Sequence, residues 1–264
     1  MREPRVLERS VRNRDRTRSG GLALLTAMAG SGITGCGAAK PPDNINATDL
    51  FEWAQTHFDE EDYAGARNGF QRYLLADPLS ALTDSAQYML AESHLRFGLE
   101  LEAADEFSRL SIGRPNSSLA DNAQFGVCRA YLAASPKVTL SQEYTERAII
   151  ECERLLQFFP ASDLRPDAEA LLSEARSKLA EKSFTVGKYY FDRKFYEAAN
   201  VYFEKSMSEQ PGSGLLPRLL ALMWDSYSRV GFTTEANIVR NRLYEEFPDS
   251  PEADRVRSRD GGEG

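Results

Sequence analysis

The stretch 179–211, LAEKSFTVGKYYFDRKFYEAANVYFEKSMSEQP, decides the fold of this chain. Gly187 precedes Ala199 by twelve residues, and Ala199 is followed by Phe203 after four residues and by Pro211 after twelve. Small residues at matching places let two helices approach closely, the aromatic ring fills the gap beside them, and proline stops the second helix. The stretch therefore reads as a pair of packed helices.

The same pattern recurs. Ala66/Phe70/Pro78, Ala103/Phe107/Pro115, Ala148/Cys152/Pro160, Ala199/Phe203/Pro211 and Ala236/Arg240/Pro248 all keep the twelve-residue spacing from alanine to proline. Twelve residues upstream of four of these alanines stand Ala54, Ala91, Gly187 and Trp224, with His57, His94, Tyr190 and Tyr227 three residues further on. Five such units resemble the tetratricopeptide (TPR) repeat. The prolines are 37, 45, 51 and 37 residues apart, against about 34 in that family. The 37-residue intervals place extra residues in the turns DPLSALTD and RPNSSLAD. The 45-residue interval points to an insertion, SPKVTLSQ, between the helices of unit three. The 51-residue interval predicts a long first helix in unit four, Ala168 to Phe191, with Leu171, Leu172, Ala175, Leu179 and Phe184 at helical spacing. Trp224, at a small-residue position, predicts a wider last crossing. Each unit buries its apolar face only against the next. The expected architecture is accordingly all-α: a right-handed superhelical solenoid of five TPR-like helix pairs over residues 47–257. First helices would line its concave face, and Phe70, Phe107 and Phe203 its core.

Ahead of the array, residues 22–29 form a short, mostly apolar run behind an Arg-rich start, too short to cross a bilayer. Ile33-Thr34-Gly35-Cys36 then resembles a bacterial lipobox, which implies cleavage before Cys36 and acylation of its thiol and new amino group. Two or three acyl chains hold a protein firmly to a membrane. Gly37 stands where an aspartate favours inner-membrane retention in many proteobacteria, so the outer membrane is the expected address. The expected organisation is a signal peptide over 1–35, a lipidated N-terminus and flexible tether over 36–46, the repeats, and a disordered tail over 258–264.

The formal charge is −8, but seven arginines in the first 35 residues hide an acidic body of about −12. That balance argues against binding nucleic acid, which needs concentrated Lys and Arg. No phosphate loop or nucleophile motif is present, the two histidines make no convincing metal site, and no cofactor is expected. An enzyme is the weakest class. Cys128 and Cys152 read either as small buried hydrophobes or as one bond between neighbouring helices in an oxidising compartment.

The lipobox, the five units and the stretches RSKLAEKSFTVGKYYFDRKFYEAANVYFEKSMSEQP and ALMWDSYSRVGFTTEANIVRNRLYEEFPDS together resemble the BamD family of outer-membrane β-barrel assembly lipoproteins. The resemblance covers roughly residues 47–250 and implies a periplasm-facing scaffold. Its expected partners are a BamA-like barrel subunit at the C-terminal half and unfolded β-barrel precursors at the N-terminal half. Counting along one helical face places Phe51, Gln55 and Phe58 beside Tyr88, Glu92, Leu95 and Arg96. Phe51 and Tyr88 would carry a precursor's rings, Gln55 and Glu92 flank them, and Arg96 would meet its carboxylate. For the BamA-like partner the expected contacts are Lys188, Arg193, Tyr202 and Lys205, with Lys194 nearby. Enterobacterial members carry an arginine at the place of Tyr202, so an aromatic anchor would replace an ion pair here. The alternative is another periplasmic TPR lipoprotein adaptor in cell-envelope organisation.

Overall fold

The computed structural model describes residues 39–260. The expected signal peptide and Cys36 lie outside the described residues. Eleven helices follow one another among those described: α1 (Ala47–Asp59), α2 (Tyr63–Ala76), α3 (Thr83–Phe97), α4 (Glu100–Gly113), α5 (Ala120–Ala133), α6 (Glu143–Phe158), α7 (Arg165–Asp192), α8 (Tyr196–Glu209), α9 (Leu216–Val230), α10 (Thr233–Glu246) and α11 (Pro251–Asp260). The first ten form the five pairs of a TPR solenoid.

The proline period has a direct backbone cause. α2, α4, α6, α8 and α10 each end two residues before Pro78, Pro115, Pro160, Pro211 and Pro248. The intervening Asp77, Arg114, Phe159, Gln210 and Phe247 all leave the helical region, with ψ between 53° and 85°. A residue before proline is driven out of the helical region by clash with the ring, so each second helix stops at the same place. The turn inside four of the five pairs is also periodic. Gly98 and Gly231 close α3 and α9 at φ 85° and 83°, and the equivalent positions in units one and four are the left-handed Glu61 and Lys194.

Packing follows the expected register. Ala54, Ala66, Ala91, Ala103, Ala148 and Ala199 are wholly buried, and so are Phe70, Phe107 and Phe203. At Gly187 a Cβ would stand 2.6 Å from the Phe203 ring, which explains why this crossing takes no side chain. The long α7 and the insertion over residues 135–142, a loop between α5 and α6, both match the proline spacings. In unit three the aromatic position is occupied by Cys152, which is bonded to Cys128 on α5 with a Cα separation of 5.1 Å. Both cysteines are fully buried. Beyond the pairs packing in sequence, α1 meets α3, α3 meets α5, and α5 meets α7. Among the described residues the even helices α2, α4, α6 and α8 make no comparable contacts with one another, so the odd layer is the tighter, concave one.

Both ends of the array differ from expectation. α11 lies beyond the five expected pairs and runs to Asp260, through the first three residues of the expected disordered tail. It buries Ala253 and Val256 against the last pair and so closes the open apolar end that a solenoid leaves. Trp224 is buried at 8 % exposure with the Arg259 guanidinium of α11 over its ring. At the other end, residues 39–43 belong to the expected flexible tether, but their carbonyls accept hydrogen bonds from Asn68 and Arg72 of α2. Asn46 caps α1 through its side chain, and Ile45 packs on the first core cluster. The ordered body therefore extends back to Ala39.

Candidate functional site

In the N-terminal half, α3, α5 and α7 frame an open groove of about 530 Å³ lined by Leu95, Arg96, Arg129, Leu132, Leu171 and Glu174. Arg96 is exposed there. Glu92, one turn back on α3, is only 6 % exposed and is ion-paired with Arg129, Nη1 to Oε1 2.7 Å. The Tyr88 hydroxyl donates to the same carboxylate at 3.1 Å. Burial, and then the Glu92 charge, push the Tyr88 phenol up to about 12. Tyr88 is thus a neutral ring oriented by Glu92, and its edge contact with Phe107, 5.5 Å between centroids, ties it to the core.

Phe51 is placed differently from the expectation. Its ring makes edge contacts with Phe70 and Tyr73, 5.5 and 5.4 Å between centroids, and serves the core of unit one. Phe58 packs against Tyr63 in the α1–α2 turn, and Gln55 donates to Asp59 on its own helix. Of the expected precursor-binding residues, Arg96 lines this groove beside Leu95, whereas Tyr88, Glu92 and the α1 residues stand outside its lining; Glu92 touches it only through its ion pair with Arg129. Arg129 belongs to that lining and escapes a reading of the sequence, because no spacing rule links α5 to a carboxylate 37 residues earlier.

In the C-terminal half the expected residues divide between two surfaces. At the α7–α8 turn, Arg193 lies 3.6 Å over the Tyr189 ring, Tyr189 meets Tyr190 edge-on at 5.6 Å, and Tyr190 stacks on Tyr202 at 5.4 Å with planes 13° apart. Phe195 completes this cluster at 6.5 Å from Tyr190. Tyr189 and Phe195 are 52 % and 61 % exposed, so the cluster presents aromatic surface to solvent. Phe232, 45 % exposed, occupies the equivalent position in the next unit. That equivalence is present in the sequence: Phe195 and Phe232 each stand four residues before the unit's alanine. Lys205 is one turn along α8 from Tyr202 and pairs loosely with Glu209 at 3.8 Å.

Lys188 faces elsewhere. It bonds Asp192 at 2.7 Å and lines a pocket of about 180 Å³ with Phe191, Arg218, Trp224, Asp225 and Arg259. Asp225 there accepts from both Arg229 and Arg259, at 2.8 and 2.9 Å. The pocket is thus a cation-rich notch over an indole, closed on one side by α11. Among the described residues no group of His, Cys, Asp and Glu is arranged to hold a metal ion, and no helix is long and apolar enough to cross a membrane.

Paired helices stacked in a five-unit array define a repeat protein of the TPR class. A family model described as "YfiO: Outer membrane lipoprotein" matches residues 43–254. The chain belongs to that family, the YfiO (BamD-type) outer membrane lipoproteins. No curated protein matches. Among solved structures, the chain is similar to the MamA protein, with 16 % identity, 80 % of this chain and 94 % of that chain covered, and a TM-score of 0.35. A thermophilic TPR protein of Thermus thermophilus is 16 % identical, with 80 % and 96 % covered and a TM-score of 0.36. PilW, a type IV pilus biogenesis factor, is 16 % identical, with 80 % and 97 % covered and a TM-score of 0.24.

Proposed function

We propose that this family member is a non-catalytic scaffold of outer-membrane β-barrel assembly, held by acylated Cys36 and facing the periplasm. Its C-terminal units bind a BamA-like barrel subunit, and the groove lined by Arg96 and Arg129 receives the C-terminal segments of unfolded barrel precursors. The observation that carries the reading is the exposed pair Tyr189 and Phe195 around Tyr190, with half-buried Tyr202 stacked on Tyr190 and Arg193 on the rim. Tyrosine and arginine are the residue types that most often anchor protein interfaces, and a ring already stacked loses little freedom on binding. The buried Cys128–Cys152 bond supports an oxidising compartment such as the periplasm.

The test is affinity purification of the tagged full-length protein from solubilised envelopes of its own host, with copurifying proteins identified by mass spectrometry. A BamA-like barrel protein in near-equal amount is the expected result, together with its loss when Tyr189 and Phe195 are both changed to serine. An intact, membrane-bound bait without that partner would move the function to another envelope adaptor.

A further inference from the structure

Residues 39–43 are strapped to the outer face of α2 by side-chain hydrogen bonds. Arg72, on the outer face of α2, donates Nη1 to the carbonyls of Pro41 and Pro42 at 3.1 and 2.8 Å, and Nη2 to the carbonyl of Asp43 at 2.7 Å. Asn68, one turn earlier, donates to the carbonyl of Ala39 at 2.9 Å. One turn earlier again stands Gly65, where a Cβ would come within 3.2 Å of the Ala39 methyl and collide with the capping carboxylate of Asp62. Gly65, Asn68 and Arg72 form one stripe along α2, and the strap runs along it from Ala39 at the Gly65 end to Asp43 beside Arg72. Two consecutive prolines stiffen the strap, since each fixes its own φ and restricts the residue before it. Arg72 spends its planar fork on three backbone carbonyls and on no carboxylate, so its role is to hold this segment in place.

Ala39 therefore lies beside the α1–α2 turn, and Asp43 lies further along α2 toward the α2–α3 turn. Only two residues, Gly37 and Ala38, separate Cys36 from Ala39. Three peptide links reach about 11 Å at full extension. The other end of α2, a helix of 14 residues, is about 21 Å away.

We infer that Arg72 and Asn68 form a clamp which makes the acylated N-terminus emerge beside the α1–α2 turn, so that this turn edge lies at the lipid headgroup surface. The inference rests on acylation of Cys36, as proposed above. The turn carries Asp59, Glu60 and Glu61, so the short covalent leash, and not charge, holds it down. The matching surface is an uncharged, zwitterionic bilayer.

The test uses the full-length acylated protein reconstituted into phosphatidylcholine–phosphatidylethanolamine vesicles that contain a lipid with a nitroxide on its headgroup. A thiol-reactive fluorophore is placed by Glu60→Cys at the α1–α2 turn or by Leu79→Cys at the α2–α3 turn, where Leu79 is 96 % exposed. Cys128 and Cys152 are bonded to each other and give no background label. The probe at position 60 is expected to be quenched several-fold more than the probe at 79, and Asn68→Ala with Arg72→Ala should remove most of the difference. Hydrogen exchange over residues 43–46 is expected to speed up in Arg72→Ala and, because lysine lacks the fork, in Arg72→Lys also. Equal quenching at the two positions in vesicle-bound wild type overturns the inference and leaves the anchor standing. Unchanged exchange in both Arg72 variants overturns the clamp. Protein that fails to float with the vesicles refutes the acylation reading itself, and this inference falls with it.

Discussion

Arg129 on α5 and Glu92 on α3 meet at 2.7 Å across the joint between units two and three, and Arg129 also lines the open groove. The carboxylate also accepts from Tyr88, so one buried acid ties a ring, a groove wall and two successive units together.

Removing one partner of such a pair leaves an under-compensated charge, whereas removing both leaves little to desolvate. Arg129→Met is expected to lower stability by about 1–3 kcal/mol, and Glu92→Gln added to it should restore part of that loss. Urea unfolding of the two single variants and the double variant gives the coupling directly. Additive effects would mean that the pair is only a surface contact.

The Cys128–Cys152 bond joins positions separated by 24 residues through the third unit. Closing a loop of that length removes freedom from the unfolded chain worth about 3 kcal/mol. Cys128→Ala with Cys152→Ala should therefore lose roughly that much in equilibrium unfolding. Because both cysteines are fully buried, a mild reductant should act on the native protein only as fast as unit three opens. Mass spectrometry of alkylated samples over time measures that rate.

His94 on α3 is held below its ordinary value of 6.5, first by burial and then by the Arg67 charge, with Glu106 and Glu102 opposing. The unfolded chain then binds the proton more readily than the folded one in the window below 6.5. Stability should fall as pH drops through 6.5 toward the native value of this group, and His94→Gln should flatten that part of the profile. Thermal melts of both proteins across mildly acidic pH test the sign; an unchanged slope in the variant would assign the effect to other groups.

Lys194 occupies a left-handed turn position at φ 67°, where units two and five use glycine. A side chain in that region costs about 1 kcal/mol, partly offset by the greater freedom of glycine in the unfolded chain. Lys194→Gly should stabilise the protein by a few tenths to about 1 kcal/mol, measurable as a shift in the urea midpoint with an unchanged slope.

The pairs of helices, their ends and their core aromatics were legible in the chain because each depends on residues within one or two units. Pro78 ends α2 by acting on its own neighbour, and Ala199 meets Phe203 one turn away on the same helix. The candidate sites were legible only in part. Arg96 lines a groove, but Tyr88 is held against Phe107 and Phe51 against Phe70 and Tyr73, and a count along one helix says nothing about how the next helix is turned.

What the sequence by itself determined was the repeat: five alanine-to-proline spacings, a long α7, an insertion after α5 and two cysteines with two open readings. Local sterics enforce those features wherever the residues occur. What only the tertiary structure decided were contacts between segments far apart in the chain: the Cys128–Cys152 bond, Arg129 on Glu92, α11 over Trp224, and Arg72 on the carbonyls of Pro41, Pro42 and Asp43. Their partners are selected by where the stacked units bring them, and no spacing along the chain encodes that distance.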